Sequence, residues 1–215
     1  MKALSLIVAS LVSSAGIASA LTITKTVAGN AGPWNWVNGG LNTAYQYANE
    51  NNLSSQSAPP TVISAADGFS FSVGDSLTIS YLSGGVISGI GRPAFDANGA
   101  TIFGPLDNVL LGTYGPGPSY YMNPATYPIL YTELVGTFAN SSGQVVGTPF
   151  AIGNLRTITV PSGATRLQLG ANDNLYVDNS GSWNIQITQV PEPATWSMLL
   201  LSVVALLGGL RLHRR

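Results

Sequence analysis

The chain has no cysteine among its 215 residues. That excludes disulfides, iron–sulfur clusters, thiolate zinc sites and cysteine nucleophiles at once. It has one histidine, His213, within the last three residues. With that tail removed or held in a membrane, no imidazole is left for a Ser-His-Asp triad, a zinc site or a proton shuttle. Charge is scarce as well. Asp, Glu, Lys and Arg make up 8% of the chain, against about 25% in an ordinary soluble domain. The shortage of Glu and Lys argues against a helical protein. What the chain has instead is 25 Gly, 13 Pro and many Ser, Thr and Asn.

The two ends differ from the middle. Lys2 precedes an apolar run from Ala3 to about Ala18, which closes in Ala18-Ser19-Ala20. A basic start, a short apolar stretch and an Ala-x-Ala exit describe a secretory signal peptide over residues 1–20, cleaved after Ala20. Ser5, Ser10, Ser13, Ser14 and Gly16 interrupt the run and disfavour a first membrane helix. At the other end, Val190-Pro191-Glu192-Pro193 precedes 17 uncharged residues from Ala194 to Leu210. That is the lower length of a transmembrane helix. The prolines end any strand and set up a helix start. Trp196 suits a membrane interface, and Arg211, Arg214 and Arg215 suit its cytoplasmic side.

A Pro-Glu-Pro, one hydrophobic helix and a terminal Arg cluster together resemble the PEP-CTERM sorting signal, here over residues 191–215 with Val190 just before it. The resemblance implies export through the secretory pathway of a Gram-negative bacterium. It implies a transient inner-membrane anchor and recognition by an exosortase, with cleavage near the Pro-Glu-Pro. It further implies delivery to the cell surface or to an extracellular polysaccharide matrix.

Residues 21–190 remain, enough for one domain with its own core. Lys25, Arg92, Arg156 and Arg166 face eight acids there, leaving a formal charge of −4. Such a surface does not suit a phosphate backbone, so no nucleic-acid partner is expected. Apolar and polar residues alternate in Ser76–Leu82 (Leu77, Ile79 and Tyr81 on one face). They alternate again in Thr165–Ala171 (Leu167, Leu169 and Ala171 against Arg166 and Gln168), and in Ser182–Thr188 (Trp183, Ile185 and Ile187 against Asn184 and Gln186). Period-two alternation bounded by Gly, Pro and Asn predicts half-buried strands. Further strands are expected at 21–27, 61–64, 129–139, 145–152 and 156–160. Asn140–Gly143 reads as a hairpin turn, and only Leu41–Glu50 could pass as a helix. The fold class is therefore all-β: an antiparallel jelly-roll β-sandwich, flanked by a signal-peptide helix and a C-terminal transmembrane helix. Two irregular segments, 28–60 and 84–128, read as long loops, where binding functions often sit.

The densest polar run is Gly170 to Trp183, including Asn172, Asp173, Asn174, Asp178, Asn179 and Ser180. Neither carboxylate has a basic neighbour in sequence. Calcium takes six to eight hard oxygens from carboxylates, amides and backbone carbonyls, and this run supplies that mixture. Asp, Asn, Ser and Gly are equally what a turn uses for geometry alone.

The run Pro161 to Gly170, then Asp173, then Asp178-Asn179-Ser180-Gly181-Ser182, resembles the C-terminal half of the galactophilic, calcium-dependent bacterial lectins, a jelly-roll family. Val73 to Ile79, with Asp75, resembles the strand entering that family's other calcium loop. The resemblance implies Ca²⁺ held by side-chain oxygens of Asp173, Asp178 and Asn179 and by the carbonyl of Leu175. It implies a further carbonyl near Ile87, and sugar hydroxyls bound to the ion. The loop is shorter here than in those lectins, and the domain has no His for the sugar-contacting loop, so galactose specificity does not transfer. Trp34, Trp36, Tyr114, Tyr120 and Tyr121 are candidates for stacking on a sugar, although aromatics in such positions usually serve packing.

Catalysis is not expected. Glu133, Asp96 and Asp107 are the candidate pair-forming carboxylates for a glycosidase, but Glu133 falls in an expected strand and the aspartates in Gly-rich turns. A serine nucleophile would have only Lys25 as a base. Ice binding would want a regular Thr array, and the threonines show no repeat along the chain. The expectation is an exported surface or matrix protein that binds calcium and a carbohydrate. The alternative is a purely structural matrix protein with no specific small ligand.

Overall fold

A computed structural model describes residues 20–34, 58–89, 91–100, 129–173 and 176–190. The signal-peptide run with Ala18, the Leu41–Glu50 segment, Trp36, the loop tyrosines Tyr114, Tyr120 and Tyr121, and Asp107 lie outside these residues. So do Leu175, Pro191, Glu192, Pro193 and the 194–210 stretch. Among the described residues no helix is long and apolar enough to cross a membrane.

The described chain is almost entirely β. Eight strands run in order: β1 (Leu21–Ala28), β2 (Thr61–Ser64), β3 (Ser76–Ser88), β4 (Leu134–Ala139), β5 (Val145–Ala151), β6 (Leu155–Thr159), β7 (Arg166–Ala171) and β8 (Asn179–Val190). Two 3-10 turns, 65–67 and 176–178, are the only helical pieces described. The strands form two four-stranded sheets, ordered β1-β8-β3-β6 and β2-β7-β4-β5. Every strand pair is antiparallel.

The alternation seen in sequence makes one shared core. Val27, Leu77, Ile79, Trp183, Ile185 and Ile187 come from the first sheet. Ile63, Leu134, Phe138, Leu167 and Leu169 come from the second, and all belong to one buried cluster. Each fully buried side chain of this size contributes about 1.5–3 kcal/mol of transfer free energy. The Asn140–Gly143 turn forms as expected. The Asn140 side-chain carbonyl accepts from the backbone N–H groups of Ser142 and Gln144, both at 3.0 Å.

Four expectations need correction. The strand expected over 129–139 begins only at Leu134, because Tyr131 and Thr132 form a turn and Thr132 has φ 58°. Glu133 therefore stands at the mouth of β4, not within it. Strand β3 runs on past Leu82 to Ser88 through a bulge between Tyr81 and Ser83, and β8 starts at Asn179 rather than Ser182. The polar run after β7 is thus shorter than its sequence suggested. Finally, β7 and β4 are buried on both faces. Gln168 and Thr137, on the face away from the core, are fully buried.

A strap of chain, residues 31–34, covers that second face. Its backbone bonds to β7 (Ala171 N–H to Ala31 O, 2.9 Å) and to Ala58. The Thr137 hydroxyl donates to Pro33 O at 2.9 Å, and Trp34 is buried under the strap's end. Trp34 is therefore packing, not a sugar platform. Thr137→Val should cost about 1 kcal/mol, the net value of one buried hydrogen bond, read as a small fall in melting temperature.

The outward face of the first sheet has a different character. Register lines up Thr22, Thr188, Thr78 and Thr157 in one row across all four strands. Within it the hydroxyls of Thr22 and Thr188, and of Thr78 and Thr157, are bonded at 3.0 Å. The next row holds Thr24, Gln186 and Ser80, and the row after it Thr26, whose hydroxyl donates to Asn184 Oδ1 at 3.1 Å. None of these outward positions carries a charged side chain. The threonines do not repeat along the chain. Strand order, not sequence spacing, assembles the row.

Candidate functional site

The polar run between β7 and β8 folds inward. Asp173 follows β7 and is fully buried. Asp178 closes the second 3-10 turn and is exposed, and Asn179 opens β8 half-buried. The Asn179 amide nitrogen donates to Gly29 O at 2.9 Å, which fixes its other end. Its Oδ1 is buried and accepts no hydrogen bond. Asn172, absent from the expected ligand set, behaves the same way. Its amide nitrogen donates to Leu130 O at 3.0 Å, and its buried Oδ1 accepts nothing. A buried acceptor without a donor costs roughly 1–3 kcal/mol, so two in one run with a buried carboxylate require an explanation.

The two carboxylates converge electrostatically on Tyr131. Burial first, and then the charge of Asp173, push its hydroxyl up to about 12; Asp178 adds to the effect, while a bond with Ser88 and the charge of Arg92 oppose it. Thr132 Oγ1 donates to Ser88 Oγ at 2.8 Å, so the 131–132 turn is pinned beside the run. The backbone ties are equally close: Thr132 N–H to Asn172 O at 2.8 Å and Asn172 N–H to Glu133 O at 2.9 Å.

Arg92 is the residue that sequence reasoning missed. Its guanidinium lies over the Tyr131 ring, 5.0 Å from the centroid. Its Cδ and Asp178 Oδ2 stand 3.9 and 3.2 Å from the point where a Cβ on Gly89 would lie. The run therefore has a cation within its surroundings, supplied from 80 residues upstream. No spacing signal announces that, whereas Asn172 could have been found as the neighbour of Asp173.

The donor types in this run suit a hard cation. A buried carboxylate and two amide oxygens without donors are ligand types that calcium accepts. Among the described residues no group of three or more His, Cys, Asp or Glu is gathered for a metal, so amide and backbone oxygens would have to complete the shell. Asp75, at the other loop likened to a calcium loop, is otherwise engaged. Its Oδ2 accepts from Ser70 Oγ (2.7 Å), Ser72 N–H (3.1 Å) and Gln189 Nε2 (2.6 Å). It anchors β8 to the start of β3.

The end of β8 leads into the tail. Gln189 is buried in the Asp75 network and Val190 pairs with Ser76. No curated protein and no solved structure matches the chain. Residues 189–215 match the PEP-CTERM protein-sorting motif. That motif indicates an exported protein processed by exosortase-type sorting machinery and directed to the cell envelope or surface of a Gram-negative bacterium.

Proposed function

We propose that the chain is a non-catalytic cell-surface or matrix protein whose β domain binds Ca²⁺ between β7 and β8 and presents that site to carbohydrate. One observation carries the calcium reading. The run that holds the fully buried Asp173 carboxylate also holds Asn172 and Asn179, whose side-chain oxygens are buried and accept no hydrogen bond. Asp178 supplies a second carboxylate from the exposed side. The jelly-roll reading of the fold is supported by the strand orders 1-8-3-6 and 2-7-4-5, which two interleaved Greek keys would generate. A cut near Pro191–Pro193 would leave β8 whole, because that strand ends at Val190. The released domain would keep its complete first sheet. A non-catalytic role is supported by Asp96, whose two oxygens accept from Asn98 N–H and Asn154 Nδ2.

Arg92 favours a second reading, in which its guanidinium balances the loop and the domain is a structural matrix component without calcium. Melting of the full-length chain in mild detergent separates the two. A millimolar concentration of CaCl₂, compared with EDTA, should raise the midpoint by several degrees, because a ligand bound only by the folded state stabilises it by mass action. The rise should be absent from an Asp173→Ala/Asp178→Ala variant. An unchanged midpoint would leave the structural reading standing.

A further inference from the structure

A second group of oxygens lies where three separate segments meet. The turn 96–99, the mouth of β4 at Glu133, and the 152–154 connection from β5 to β6 are held together. Leu134 N–H donates to Ala97 O at 3.0 Å and Ile152 N–H to Leu134 O at 2.8 Å. Asn154 N–H donates to Asn98 Oδ1 at 2.9 Å, and Asn154 Nδ2 to Asp96 Oδ2 at 2.9 Å.

Bonds of that kind occur in any polar turn. Two further facts do not. Glu133 is only 9% exposed, and among the described residues it has no ion-pair partner. Leu130 N–H donates to its Oε2 at 2.6 Å. Asn154 Oδ1 is buried and accepts nothing, its orientation set by the bond from its nitrogen to Asp96. An oxygen of Asn98 and one of Glu133 face the same space. Gly153, at φ 60°, has no side chain, and the position its Cβ would take is 2.8 Å from Asn98 Oδ1 and 3.6 Å from Glu133 Oε1. Buried carboxylates are normally paired or bound to a metal. The Arg156 charge reaches Glu133 weakly, its guanidinium lying over Phe150 and bonding Ala151 O.

We propose that Asn98, Glu133 and Asn154, with Asp96 behind them, form a second hard-cation site that takes Ca²⁺. Carboxylate and amide oxygens from three segments are calcium's donor types, and water completes the shell. The site would clamp the β5–β6 crossing between the sheets to the 96–99 turn. It does not depend on the ion between β7 and β8.

The test counts ions. Equilibrium dialysis of the full-length protein against ⁴⁵Ca²⁺ should give two per chain. Glu133→Gln should weaken one of them at least tenfold, and so should Gly153→Ala, which fills the shared space and leaves the carboxylate intact. Melting in EDTA checks that both variants fold. Asp173→Asn/Asp178→Asn should remove the other ion. A single ion that survives Glu133→Gln and Gly153→Ala but not the Asp173/Asp178 change overturns this inference and leaves the first reading. A single ion with the opposite pattern overturns the first reading and supports this one. No bound calcium overturns both.

Discussion

Alanine at Gly170 should destabilise the domain by about 3 kcal/mol, at the upper end of what overpacking costs. For a domain of this size that lowers the melting midpoint by roughly 6–12 °C. The cause is contact between backbones, not glycine's flexibility. A Cβ at Gly170 would overlap the Gly32 carbonyl carbon and the Pro33 nitrogen, and would stand 2.5 Å from Gly32 O. A side-chain end could swing aside, but here the main chain of the strap would have to lift. Lifting it would break the Ala171–Ala31 bond and expose Trp34 and the outer faces of Thr137 and Gln168. The lost strap should also silence Thr137→Val. In a Gly170→Ala background that change should cost almost nothing, because the Pro33 carbonyl is already gone; residues sharing one contact are not additive. A Gly170→Ala protein that melts with the wild type would show that the strap contributes no stability.

Glu133 should give the domain an unusual dependence on pH. Burial pushes its carboxyl up from 4.5 to about 7, against a backbone bond from Leu130 and the Arg156 charge, which pull it down. In the unfolded chain it ionises near its ordinary value. Between those two values the folded state holds a proton that the unfolded state has released, so stability falls as pH rises. The Glu133 contribution is complete below pH 4.5 and lost by about pH 7, a fall of about 3 kcal/mol at 1.36 kcal/mol per unit. The measurement is urea unfolding in EDTA at several pH values, wild type minus Glu133→Gln. The difference should move against the wild type across that window. A flat difference would mean that Glu133 is ionised without penalty in the fold. Saturating calcium should flatten it too, because a bound cation keeps the carboxylate charged in the native state.

Strand content was plain in the sequence because period-two alternation reports a sheet with one buried face. That logic located β1, β2, β7 and the centre of β8 to within a few residues. It placed Trp183, Ile185 and Ile187 in the core, where they are fully buried. It failed where burial did not alternate. Gly84 and Gly85 read as the start of a long loop, yet they lie inside β3, beyond the bulge, paired with Trp183 and Ser182. Both faces of β7 are buried, so Gln168 gave a false sign of solvent. The polar run after β7 was correctly singled out, but its geometry was not legible. Asp173 turning inward depends on the 130–133 turn, and Arg92 arrives from a distant segment. Likewise Glu133, Asn98 and Asn154 are far apart in the chain and share no motif. Only the fold makes them neighbours.

The uncharged outward face of the first sheet governs how quickly anything can meet it. A surface without charge exerts no local pull on an approaching partner, so docking there proceeds without steering. Its association rate belongs near the unassisted 10⁵–10⁶ M⁻¹s⁻¹ rather than the accelerated range. It should also change little between dilute buffer and seawater-like salt, since screening has no local field to weaken. The row of hydroxyls from Thr22 to Thr157 is partly self-bonded and built from stiff β-branched side chains. A partner would therefore lose little rotamer freedom there, and selectivity on this face would be expressed in how slowly it leaves.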